Sequence, residues 1–158
     1  MIKIEDLLEK IKHNNLDFNK GLNYFCEEYW SSCMEILDTG NINYIPYIME
    51  TLIDWHYNRM TAYQIGDLIV GCYLIDSAET VKIILLNIDK MYPHAKKGLE
   101  YILSELMARK VTKEYIYTYF KLLNLEKKQI FKEVYNNILL EYPRFSIPEI
   151  DEALKSIA

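Results

Sequence analysis

Apolar residues recur at helical spacing along almost the whole chain. Ile4, Leu7, Leu8 and Ile11 form the first stripe, and Asn14-Asn15 stops it. After Asp17 the steps of three and four resume through Leu22, Phe25, Cys26, Tyr29, Cys33 and Ile36 or Leu37. This predicts a longer helix whose other face carries Glu27, Glu28, Ser31, Glu35 and Asp38, with Gly40 placed as a C-terminal glycine cap. A third helix starts near Asn43, with Pro46 in its first turn, where a missing N–H costs nothing. Its inward stripe is Ile45, Ile48, Met49, Leu52, Trp55 and His56.

Local chemistry marks the next starts. Thr61 and Gln64 have the spacing of a capping box, in which the hydroxyl reaches forward and the amide back, so a fourth helix begins there. Asp76 and Glu79 repeat the device for a fifth helix, running through Val81, Ile84, Leu85 and Ile88 to a break at Tyr92-Pro93. A sixth carries Leu99, Ile102, Leu103, Leu106 and Met107. The stretch after Thr112 alternates like a strand in YIYTYF, while Ile116, Tyr119, Phe120 and Leu123 share one helical face. With helices on both sides and no second strand to pair with, helix is the expectation. Asn124 can cap an eighth helix that turns Ile130, Phe131, Val134, Ile138 and Tyr135 inward and ends at Tyr142-Pro143. Ser146, Pro148 and Glu149 open a short ninth.

The fold class expected is therefore all-α: about nine helices in one domain, residues 1–158, either stacked as antiparallel pairs or gathered in a compact irregular bundle. Tyr92-Pro93 and Tyr142-Pro143 lie 50 residues apart, each closing one helix shortly before another begins. With the helix started at Pro46 this gives a unit of roughly 45 to 50 residues, the period of helical repeats. Pro46 early in a first helix, then Asp54, Arg59 and Ala62 followed by an apolar second helix, loosely resembles one unit of the HEAT and armadillo families. That resemblance rests on Ile42 to Ile75. It implies a right-handed α-solenoid with a concave surface that binds protein or nucleic acid, and implies no chemistry.

Composition changes the picture in three ways. At 158 residues and 51% hydrophobic content, with five glycines and four prolines, the chain is long and apolar enough to fold without metal or disulfide, burying about two-thirds of its unfolded surface. The N-terminus, MIKIEDLLEK, lacks the basic start and apolar run of a signal peptide, and Leu68 to Ile75 is too short to cross a membrane, so a cytoplasmic protein is expected. Cys26, Cys33 and Cys72 are odd in number, and two of them seven residues apart on one helix stand roughly 10 Å from each other, too far for a bridge. They read as buried thiols in a reducing compartment.

Charge is distributed unevenly. Met1 to Thr80 holds 13 acids and 5 bases, a net of −8, whereas Val81 to Ala158 holds 10 acids and 13 bases, a net of +3. Such asymmetry can steer a charged partner to one end.

Catalytic patterns are missing from the sequence. His13, His56 and His94 follow Lys10, Ile53 and Met91 by three positions, so no Glu-x-x-His ligand pair exists and no metal or cofactor is expected. Gly66 and Gly71 lie inside a helical pattern without a preceding strand or a Gly-Lys-Ser/Thr, which fits close helix packing rather than a phosphate loop. Glu50 and Asp54 could flank a substrate, but without a base or metal partner they read as a helix face. An enzyme is not expected.

Binding chemistry is better represented. Lys90, Lys96, Lys97, Arg109, Lys110, Lys113, Lys121, Lys127, Lys128 and Lys132 alternate with Tyr115, Tyr117 and Tyr119 in the manner of single-strand nucleic-acid binders. Five glutamates dilute that stretch and the overall pI is near 5.3, so nucleic-acid binding through the lysine-rich C-terminal half ranks as the alternative. The acidic half ranks first. Tyr47, Glu50, Asp54 and Tyr57 share the face opposite the third helix's core stripe, and Glu27, Glu28, Glu35 and Asp67 add carboxylates on its neighbours. Tyrosines give rigid amphipathic contact area, and carboxylates complement lysines and arginines across an interface. In size, acidity and absence of catalytic motifs the chain resembles, in type, the small immunity proteins of bacterial toxin–immunity systems. The resemblance implies neutralisation of a basic toxin domain by charge-complementary binding.

Overall fold

The computed structural model describes residues 22–51, 62–91 and 96–157, with side chains described at 30–46, 48–49, 66–90 and 99–157. The expected first helix, the end of the third beyond Thr51, Thr61 and the Tyr92-Pro93 break all lie outside those residues. Helices and short 3-10 turns make up the regular structure, with no strand among the described residues. The chain divides into two compact units, Met1–Asp76 and Ser77–Ala158.

In the first unit α1 spans Leu22–Leu37, and Cys33, Ile36 and Leu37 are buried while Ser31, Glu35 and Asp38 are exposed. Both Ile36 and Leu37 face inward, and Ser32 joins them at the buried edge. Gly40 ends the helix as expected: its φ of 68° is the left-handed region that a side chain disfavours, and its N–H donates to the Leu37 carbonyl at 2.9 Å. The chain then makes a 3-10 turn, Ile42–Tyr44, before α2, Ile45–Thr51. Asn41 sets that turn by accepting the Asn43 N–H at 3.0 Å, so the helical run opens at Ile42, one residue ahead of Asn43. Ile45, Ile48 and Met49 are fully buried.

The next helix, α3, spans Ala62–Ile75. It packs against α1. Gly71 is the reason the two approach closely, because a Cβ there would stand 2.7 Å from Leu37 Cδ1. Leu68, Ile69 and Cys72 are buried on this helix.

In the second unit α4, Ser77–Leu86, follows directly after Asp76, and Val81, Ile84 and Leu85 are buried on it. The expected continuation to Tyr92-Pro93 is interrupted at Asn87. Its side-chain amide donates to the Ile83 carbonyl at 2.8 Å and its backbone N–H is shared between Ile83 and Ile84. A separate short helix, α5 (Ile88–Met91), follows, so Ile88 keeps its buried place across a break in the helix. The physical cause is local: an Asn amide competing for helix carbonyls ends the ladder that the apolar spacing alone would continue.

Beyond these come α6, Lys96–Met107, and α7, Lys110–Phe120, so YIYTYF is helical. The last long helix, α8, spans Leu125–Glu141, and Asn124 caps it by accepting the Lys127 N–H at 2.9 Å. A 3-10 turn at Pro143–Phe145 leads to α9, Pro148–Leu154. Helix α8 is the spine of this unit: α4, α5 and α6 and the 3-10 turn pack on it, while α7 packs on α4 and α6. Its inward row includes Phe131, Val134, Tyr135 and Ile138, with Ile130 half-buried beside it. Phe120 of α7 meets Phe131 at 5.1 Å between ring centroids, and Phe131 stacks on Tyr135 at 5.5 Å. Each ring contributes roughly 1.5–3 kcal/mol through burial alone.

The last helix is held by a polar cluster rather than by the capping box expected at Ser146 and Glu149. Ile147, which has no capping side chain, stands at the N-cap, and Pro148 opens the helix. Ser146 instead gives its hydroxyl proton to Asp151, whose other carboxylate oxygen accepts from the Tyr135 hydroxyl at 2.5 Å. The same phenol oxygen accepts the Ile147 N–H at 2.8 Å. A buried aromatic thereby satisfies the N–H of the N-cap residue itself, the donor that an N3 side chain accepts in a capping box.

Candidate functional site

The acidic surface of the first unit is built on helix faces that the core periodicity leaves outward. Glu35 on α1 and Asp67 on α3 are exposed, as is Asp38 just past the end of α1. Their carboxylates have no hydrogen-bond or ion-pair partner among the described residues. Since α1 and α3 pack together, the structure carries acids on two adjacent helices of one unit. Glu27 and Glu28 belong to α1, and Tyr47 and Glu50 to α2, with side chains outside those described. Asp54 and Tyr57 lie outside the described residues altogether. The unit boundary sharpens the charge division: Met1–Asp76 holds 12 acids and 5 bases, a net of −7, and Ser77–Ala158 holds 11 and 13, a net of +2.

Several cations of the second unit are committed within the fold. Lys127 donates to the Leu86 carbonyl at 2.7 Å, beside Asp89 at 4.0 Å. Lys132 donates to the Ile157 carbonyl at 2.5 Å, and Lys113 to that of Ser146 at 3.4 Å. Each closes a helix or turn end whose carbonyls lack intrahelical partners. Lys121 lies over the Tyr117 ring at 4.6 Å and Lys128 over Phe120 at 5.4 Å. Lys90, Lys110 and Lys121 are exposed.

A polar cleft opens between α6 and α8, with a volume of about 340 Å³. Glu100, Tyr101 and Ser104 form one wall; Asn137, Glu141 and Tyr142 form the other, over the apolar floor of Ile138. Asn137 donates its amide to Glu100 Oε1 at 3.1 Å and so fixes that carboxylate across the helix pair. The Glu141 carboxylate and the Tyr142 hydroxyl have no partner among the described residues. Stacking on Phe145, at 5.1 Å between centroids, holds the Tyr142 ring. Sequence reasoning did not single out this cleft, because its walls come from helices joined only by tertiary packing, and residues 37 positions apart meet there.

The described cysteines are chemically quiet. Cys33 and Cys72 are buried and not in a disulfide, and burial pushes the Cys72 thiol up to about 12, which keeps it protonated and poorly nucleophilic. No group of three His, Cys, Asp or Glu side chains capable of holding a metal occurs among the described residues, and the three histidines lie outside those with described side chains. Among the described residues no helix is long and apolar enough to cross a membrane. Comparison with known protein families, with curated proteins and with solved structures found no match to this chain.

Proposed function

We propose that this protein works by binding another protein, not by turnover, and that it engages a basic partner through the acidic surface of its first unit. The observation that carries this reading is the set of exposed carboxylates at Glu35, Asp38 and Asp67, which have no hydrogen-bond or ion-pair partner among the described residues. They stand on the unit with a net charge of −7. Charges left unpaired on a surface are available to a partner, and complementary charge raises the rate of encounter while rejecting acidic competitors. Tyr47, Glu50, Asp54, Tyr57, Glu27 and Glu28 extend the same surface on the sequence pattern. A binding protein of this size and acidity fits the role of an immunity protein that occludes a basic toxin domain.

The test is neutralisation. Co-expression of this chain with the toxin-like product of the neighbouring gene should restore growth, and the purified pair should dissociate as salt rises past the range where the Debye length falls below about 8 Å. Reversing Glu35 and Asp67 together should weaken the pair by at least about tenfold. Reversal of exposed Lys110 and Lys121 should change it little; these are better controls than Lys127, whose ammonium closes the Leu86 carbonyl. Equal losses from both pairs would sink the assignment of the surface. Retardation of RNA or DNA by the chain at moderate salt would favour the lysine-rich half instead.

A further inference from the structure

We propose that the cleft between α6 and α8 receives an arginine side chain presented by a protein partner. The inference rests on the reading of the chain as a binder of basic proteins, but it concerns a different unit from the acidic surface and adds a defined subsite.

The chemistry of the walls selects the ligand. Two carboxylates enter the cleft from opposite helices, Glu100 from α6 and Glu141 from α8. Among the described residues only one Glu100 oxygen is engaged, by Asn137, and the Glu141 carboxylate has no partner, so there the acceptors outnumber the donors. A guanidinium brings five N–H donors in a planar fork and can serve two carboxylates at once, which a point-like ammonium does less well. Tyr101 and Tyr142 line the cleft as well, and a tyrosine ring is a favourable neighbour for a flat cation. The fold already shows this affinity: Arg144 places its own guanidinium 5.1 Å from the Phe145 ring and 6.0 Å from Tyr142. Ile138, only 4% exposed, gives the aliphatic stem an apolar floor. At about 340 Å³ the cleft is at the small end of ligand sites, of the order needed for one long side chain and its water. An anion is disfavoured by both carboxylates.

The experiment is a titration of the isotope-labelled full chain with the blocked tripeptide acetyl-Gly-Arg-Gly-amide, followed through backbone amide shifts. Saturable shifts confined to the α6 and α8 segments around Glu100 and Glu141 are expected, with no response to the same peptide carrying citrulline, which keeps the shape and loses the charge. Glu141→Gln should raise Kd about tenfold or more, the loss expected for a charge-assisted hydrogen bond. Absence of saturable shifts, equal binding of the citrulline peptide, or an unchanged Kd in Glu141→Gln would overturn the proposal. Free L-arginine is the second arm: binding no tighter than the tripeptide's keeps the partner's side chain as ligand, whereas tenfold tighter binding would assign the cleft to the free amino acid. Asp67→Lys should leave the titration unchanged, so failure of the acidic surface and failure of the cleft are read separately.

Discussion

At the scale of single residues, Tyr135 does most with one atom. Its ring completes the aromatic row with Phe120 and Phe131, while its hydroxyl takes the Ile147 N–H and gives its proton to Asp151. Tyr135→Phe keeps the ring and strands the Ile147 donor in a buried place, so it should cost about 1–3 kcal/mol in denaturant melts at neutral pH. Burial and the neighbouring Asp151 together push the Tyr135 phenol up from its ordinary 10 to about 12. The folded state therefore favours the neutral phenol. Its contribution is fully present below pH 10 and fades as pH rises from 10 through 12, since the unfolded chain ionises first. Tyr135→Phe should flatten that alkaline loss; an identical slope in wild type and variant would count against it.

Helices show where sequence patterns are sufficient and where they are not. The cap at Asn124, the stop at Gly40 and the start at Ser77 stand where short-range chemistry placed them, because a cap needs only neighbours within a few residues. The buried rows of α6 and α8 were likewise legible from spacing, since the helix period sets which side chains share a face. The break at Asn87 was not, because Ile84 and Ile88 keep helical spacing across it and conceal the competing amide. Nor were the carbonyl partners of Lys113, Lys127 and Lys132, which lie far along the chain and leave no pattern around the lysine. For the candidate sites, the acids at Glu35 and Asp67 could be read as outward from periodicity, whereas the Glu100–Glu141 cleft required the packing of two helices. Close packing also carries a prediction at this scale. Gly71→Ala gains about 1 kcal/mol of helix propensity but drives a methyl against Leu37, a conflict worth about 1–3 kcal/mol. A net loss is expected in the wild-type background. With Leu37→Ala already present the clash is gone, and the same substitution should become stabilising in a double-mutant thermal cycle.

The molecule as a whole combines two compact units with charges of opposite sign. The second has its own apolar interior, from Val81 and Ile84 through Phe120 and Phe131 to Ile150 and Leu154. A fragment of residues 77–158 is therefore expected to give a helical circular dichroism spectrum and a cooperative thermal transition, where a coil spectrum would contradict the division. The opposite charges imply different salt responses: raising ionic strength should relieve self-repulsion mainly in the acidic unit.

One consequence of that division is optical. Both tryptophans, Trp30 and Trp55, belong to Met1–Asp76, and the other unit has tyrosines and phenylalanines alone. The Trp30 indole Nε1 is buried with no acceptor among the described residues. Selectively excited indole emission should report the melting of the acidic unit by itself. Backbone dichroism reports both units. Divergence of the two signals along one denaturant series would give each unit its own stability from a single unlabelled sample.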